Sequence, residues 1–215
     1  MKGYFITFEG IEGSGKSTVA AMISEKLSRA GIGVVTTREP GGTAVSEEIR
    51  KILLDPNRPE ISPRSELLMY LASRAQLVAE VIAPALGAGR VVLCDRFMDA
   101  SVAYQGWARG LGEELVEELN AFAVGESVPD RTFVFDLPVE AGFRRGPEKR
   151  ETDGLRVKDR LEREDLSFHE KVREGYLRIA GREPGRVVVV DASRPLEEVA
   201  AEVSRNIAAC LNVQL

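Results

Sequence analysis

Apolar residues gather along this chain in short unbroken runs. Each run is followed by a longer stretch in which they recur every three or four positions. The runs are YFITFE (4–9), GVVTTR (33–38), RVVLCD (90–95), TFVFDL (132–137) and RVVVVDA (186–192). Continuous apolar character, rather than alternation, is expected of parallel strands covered on both faces. The helical-period stretches cover 16–30, 44–54, 64–86, 112–124, 161–181 and 195–211. This alternation predicts one α/β domain over 1–215, with a parallel sheet and helices on both faces.

Two connections break the rhythm. DPNRPEISP (55–63) carries three prolines and reads as a rigid surface link. The stretch from Arg144 to Asp165 is dense in charge and contains RRGPEKRETDG. Its composition suits a solvated loop, and also a lid that closes over phosphates and excludes water.

Composition narrows the function classes. Apolar content of 44% and charged content of 29% are ordinary for a globular protein, and no run approaches the ~20 apolar residues of a membrane span. The first residues lack a signal-peptide cleavage pattern, so a cytoplasmic location without a membrane partner is expected. A net charge of −5 argues against a nucleic-acid partner, so positive charge for binding phosphates must be concentrated locally. Cys94, inside VVLCD, reads as a buried reduced thiol, and Cys210 lies far from it in sequence. His169 is the single histidine; its charged, helical surroundings predict a surface position.

The candidate chemistry begins at GIEGSGKST (10–18). Gly10, Gly15, Lys16 and Ser17 satisfy G-x-x-x-x-G-K-[ST], between a predicted strand and a predicted helix. Gly10, Ile11, Glu12, Gly13, Ser14, Gly15, Lys16, Ser17 and Thr18 are therefore expected to cradle a nucleoside triphosphate, ATP in the simplest case. Backbone N–H groups and the helix dipole would face the anion. Lys16 would reach the β- and γ-phosphates, and the Ser17 hydroxyl would ligate Mg²⁺. Asp95 ends its strand where a carboxylate contacts the metal's waters. Arg96 beside it implies a second anion, and Arg38 and Arg74 could clamp the same ligand. None of Asn57, Asn120, Asn206 and Asn212 is followed by lysine, which disfavours a guanine-reading switch. A motor ATPase or a nucleotide-binding regulator stays open, but a small kinase with a phosphorylated acceptor accounts for loop, arginines and lid together. A phosphate monoester is largely dianionic at neutral pH, so such a reaction needs no general base.

The stretches FEGIEGSGKST, TREPGGT (37–43), LLMYLASRAQL (67–77), DRFMDASVAYQG (95–106), DRLEREDLSFHEKVREGYL (159–177) and VVVVDASRPLEEV (187–199) resemble bacterial thymidylate kinase over essentially the whole chain. The resemblance implies the P-loop NTPase fold with a five-stranded parallel sheet and a mobile lid near 142–160. The implied reaction is Mg²⁺-dependent transfer from ATP to dTMP in a homodimer. By position, Arg96 and Arg38 would face the acceptor phosphate. Tyr70 would stack on thymine, Arg74 would bond the base edge, and Ser101 and Gln105 would flank the base. Tyr104 would crowd the 2′ position of the sugar. Glu12 in the loop resembles the bacterial subtype whose catalytic arginines come from the lid. That role would fall to Arg144, Arg145, Arg150, Arg156 or Arg160. Three features depart from the family pattern: Ala100 in place of a common serine, a phenol at Tyr70, and a lid several residues longer than usual.

Overall fold

A computed structural model describes residues 3–58, 60–145 and 159–214. Its sheet is parallel, with strands β1 (Tyr4–Glu9), β2 (Val34–Arg38), β3 (Val91–Asp95), β4 (Arg131–Asp136) and β5 (Val187–Asp191) in the order β2-β3-β1-β4-β5. Each lies within one residue of its apolar run, because strands covered on both faces leave an unbroken apolar signal. Phe5, Ile6, Phe8, Val92, Cys94 and Phe133 are fully buried at the centre of the sheet. The edge strand β2 is only partly covered and carries Thr36 and Thr37.

Flanking helices are α1 (Lys16–Arg29), α2 (Ala44–Leu54), α3 (Pro63–Leu77), α4 (Ala83–Gly87), α5 (Met98–Ser101), α6 (Glu113–Val124), α7 (Val139–Arg145), α8 (Leu166–Arg182) and α9 (Leu196–Leu211). The proline-rich link ends in a cap: the Ser62 hydroxyl accepts from Ser65 N–H at 3.3 Å, with Pro63 opening α3. The helix expected over 64–86 is α3 and α4 joined by wide, π-type turns at Val78–Ile82. Pro84 supplies the reason, since its ring cannot face the carbonyl four residues back.

Two helical segments were not anticipated. α5 continues through wide turns at Val102–Ala108, and Val102, Ala103, Tyr104, Gln105 and Gly106 are all buried. Burial of successive residues leaves no amphipathic stripe to read. α7 has seven residues, too few for a period. α8 starts at Leu166 rather than 161 because the Asp165 carboxylate caps it, accepting from Phe168 N–H at 2.8 Å.

By length and composition the 63–87 run could cross a membrane. Here it buries Leu67, Leu71, Leu77 and Ile82 in the core and carries the buried, charged Glu66 and Arg74.

Strand register sets the position of the site. Phe8 pairs with Asp95, and Asp95 pairs with Arg38, so the carboxyl ends of β1, β2 and β3 share one edge. β1 lies between β3 and β4, where successive connections leave to opposite sides. In open parallel sheets, ligands bind at that edge.

Candidate active site

The chain leaving β1 turns through Gly10 (φ 135°), Gly13 (φ 74°) and Gly15 (φ 86°), conformations that side-chain-bearing residues rarely adopt. Gly15 leads directly into α1 without a side-chain cap, so the first N–H groups of the helix stay free for an anion. The Lys16 ammonium folds back along the loop and donates to the Ile11 carbonyl at 2.8 Å. Burial lowers its pKa to about 8, and the nearby Arg96 pushes the same way. The Ser17 hydroxyl donates to the Asp95 carboxylate. Gly10, Ile11 and Ser14 form the back of the loop, where the Ser14 hydroxyl donates to the Ile11 carbonyl at 2.9 Å.

A cavity of about 650 Å³ opens at this edge. Glu12, Gly13, Gly15, Lys16, Ser17 and Thr18 line it from the loop; Arg38, Asp95 and Arg96 line it from the strand ends. Tyr70 on α3 and Ser101, Tyr104 and Gln105 on the 98–108 segment complete the wall. Burial raises the Tyr70 phenol well above its ordinary pKa, so it faces the cavity as a neutral hydroxyl. The Gln105 amide is held by Glu66 at 2.7 Å. Half-exposed Arg38 pairs with Glu47 at 2.9 Å.

Two arginines expected at the ligand have other partners in this structure. Arg74, expected at a base edge, is 1% exposed, and protein groups take every N–H of its guanidinium. Its Nε and one terminal nitrogen hold Glu39; the remaining bonds go to Ser101, Asn120 and the Phe97 carbonyl at 2.6–3.0 Å. It therefore braces the cavity wall from behind. Arg160, expected among the lid arginines at the transferred phosphoryl, is buried against Glu66 at 2.5 Å and donates to the Leu53 carbonyl at 2.9 Å. Both followed the chemistry of a free arginine, whereas buried carboxylates from distant segments claim them here. Arg150 and Arg156 lie outside the described residues. Arg144 is exposed, and Arg145 lines the cavity while donating to the Ala192 and Ser193 carbonyls at 2.6 and 3.0 Å.

His169 corrects the surface expectation. It is 3% exposed and lines the cavity, wedged edge-on between Phe143 and Phe168 with ring centroids at 4.9 and 5.6 Å. Among the described residues neither ring nitrogen has a hydrogen-bond partner of good geometry, and burial lowers its pKa against the pull of Glu164 and the Leu161 backbone. The signal was present in the sequence: Phe168, His169, Val172 and Tyr176 share the apolar face of α8, but the charged neighbours drew the reading outward. Cys94 is buried and free, as expected. Glu9 went unremarked in the sequence, yet it is a fully buried carboxyl whose pKa burial and Asp99 push up to about 8, against the pull of Arg96. Its signal was a carboxylate closing an otherwise apolar strand.

Among the described residues, no group of three or more His, Cys, Asp or Glu side chains could hold a metal alone. The Ser17 hydroxyl and the Asp95 carboxylate are oxygen donors that would suit a magnesium ion held together with a polyphosphate.

Residues 8–203 match the family model described as thymidylate kinase. The thymidylate kinase of Desulfosudis oleivorans is 50% identical over 93% of this chain and 94% of its own. That of Geobacter sulfurreducens is 49% identical over 94% of this chain and 95% of its own. The crystal structure of thymidylate kinase from Ehrlichia chaffeensis superposes with a TM-score of 0.76 at 33% identity, covering 96% of this chain and 99% of that one.

Proposed function

The chain belongs to the thymidylate kinase family, and from this we infer how its cavity aligns two nucleotides for phosphoryl transfer. The reaction is transfer of the γ-phosphoryl of ATP to dTMP, giving dTDP and ADP. One observation carries the assignment of roles: phosphate loop, strand-end arginines and an aromatic-lined wall open into a single cavity.

In this reading the ATP polyphosphate lies on the loop from Gly10 to Thr18, with Lys16 leaving the Ile11 carbonyl for the β- and γ-phosphates. The Ser17 hydroxyl and the Asp95 carboxylate would hold Mg²⁺, which would neutralise charge on the β- and γ-oxygens. The dTMP phosphate meets Arg96 and Arg38. Its base lies against Tyr70, beside Ser101 and Gln105, and Tyr104 stands at the sugar. A dTMP oxygen forms the new bond to γ-phosphorus as the bond to the β,γ-bridging oxygen breaks. The dianionic acceptor needs no base to remove a proton, so alignment and charge neutralisation do the catalysis. Glu12 lines the cavity from the loop beside the position of the transferred phosphoryl. Leu68 on α3 and Leu115 and Phe122 on α6 stay exposed on neighbouring helices, which supports the homodimer.

The test is ADP release from ATP and Mg²⁺ with dTMP, dUMP, dCMP, dGMP, UMP, AMP or no acceptor. Strong release with dTMP, weak with dUMP and baseline elsewhere is expected. Release independent of any acceptor would overturn the placement of Arg38 and Arg96.

A further inference from the structure

Arg96 has φ 69° although it carries a side chain. That conformation is costly for a non-glycine residue and persists only where the surroundings over-determine it. Its own N–H donates to the Phe8 carbonyl at 3.0 Å, and its carbonyl accepts the Cys94 thiol at 3.0 Å. The next N–H, of Phe97, donates to Glu9 Oε1 at 2.6 Å.

The same carboxyl reaches the other end of the residue. An Arg96 terminal nitrogen donates to the Tyr176 hydroxyl at 3.2 Å, and that hydroxyl donates to Glu9 Oε2 at 2.8 Å. The guanidinium also rests on the face of Tyr104, with Cζ 5.2 Å from the ring centroid. Glu9 and Tyr176 are 0% and 1% exposed, and neither lines the cavity that Arg96 faces. One buried carboxyl thus ties down the backbone and, through a phenol, the head of the same arginine.

We propose that Glu9 and Tyr176 are positioning residues that hold the Arg96 guanidinium for the phosphate of the acceptor nucleotide. The proposal rests on the reading that Arg96 meets that phosphate. Burying a carboxyl in a strand end is costly unless its hydrogen bonds are all used, and here both oxygens are used on this one arginine's surroundings. Glu9 joins β1 to the loop after β3, and Tyr176 joins α8 to both, so the pair fixes Arg96 relative to the elements that form the acceptor site.

The test measures dissociation constants for dTMP and for ATP by calorimetry in folded variants checked by thermal unfolding. Tyr176→Phe removes the relaying hydroxyl but keeps the ring; Glu9→Ala removes the carboxyl. Each is expected to weaken dTMP about tenfold and to leave ATP within twofold. In an Arg96→Ala background, Tyr176→Phe should have no further effect on dTMP, a coupling that a merely structural role would not produce. Unchanged dTMP affinity in Tyr176→Phe overturns the proposal, as does equal loss for ATP or an undiminished effect in the Arg96→Ala background. If Arg96→Ala itself leaves dTMP binding intact, the underlying placement of Arg96 is wrong and the proposal falls with it. If Glu9→Ala does not fold, Tyr176→Phe decides alone.

Discussion

Lys16 is buried, its ammonium engages the loop carbonyl of Ile11, and its pKa is lowered to about 8. A bound polyphosphate favours the charged form, so near pH 8 ATP binding takes up a proton. Calorimetry of ATP binding in buffers of different ionisation enthalpy should show this uptake, and Lys16→Ala should abolish it. The same variant should lose at least a thousandfold in phosphoryl transfer while keeping its circular dichroism; near-normal turnover would remove the loop from the mechanism. His169 offers an opposite trade. Two ring nitrogens that find no well-placed partner among the described residues, set between two phenylalanines, cost stability in the unliganded protein. His169→Phe is expected to raise stability by about 1 kcal/mol in urea unfolding without ligand. A loss of similar size would show that the imidazole has partners in solution.

Between elements, one polar tie centres on Glu66. Its carboxylate on α3 receives Arg160 at 2.5 Å, Arg109 at 3.3 Å and the Gln105 amide at 2.7 Å. Arg109 in turn pairs with Glu164 at 2.6 Å. This network fastens the 159–164 segment to α3 and to the 98–108 segment, and so shapes the cavity wall that carries Tyr70 and Gln105. Buried pairs add little net stability, but removing one partner leaves a charge uncompensated at a cost of about 3–5 kcal/mol. Glu66→Gln should therefore lower the unfolding free energy measured in urea by that order and speed amide exchange at residues 159–164. Exchange unchanged there would mean the Leu53 and Leu54 carbonyls, which also accept from Arg160, suffice to hold the segment. A second close tie lies between α7 and the phosphate loop: a Cβ on Gly142 would meet the Glu12 carbonyl at 2.6 Å. Only glycine permits that approach, and it seats the start of the predicted lid on the loop.

For the molecule as a whole, buried ionisable groups make stability depend on pH in a direction that can be derived. Glu9 ordinarily titrates near 4.5 and in the fold near 8, so the folded state keeps a proton that the unfolded state releases. Its contribution is fully present below 4.5 and is lost as pH rises through 8. Glu9→Gln removes that titration. The stability of the variant relative to the parent should therefore rise between pH 5 and pH 8.5 in paired urea titrations. A difference that does not change with pH would show that Glu9 is not held protonated.

The strand runs, the loop at 10–18 and the stretches carrying the family resemblance were legible without coordinates. They depend on local chemistry: two-sided burial leaves continuous apolar runs, and close approach to phosphates demands glycines followed by lysine and a hydroxyl. The helix over 98–108 was hidden because burial on all sides erases the amphipathic stripe. Arg74 and Arg160 were read as free cations because nothing within a few residues reveals Glu39 or Glu66. His169, Glu9 and Tyr176 acquire their surroundings only when α8 crosses the carboxyl edge of β1, linking residues more than 150 positions apart. Local patterns along the chain specify elements and ligand class; which charge meets which, and which polar group is left unpaired, depends on contacts between segments that folding brings together.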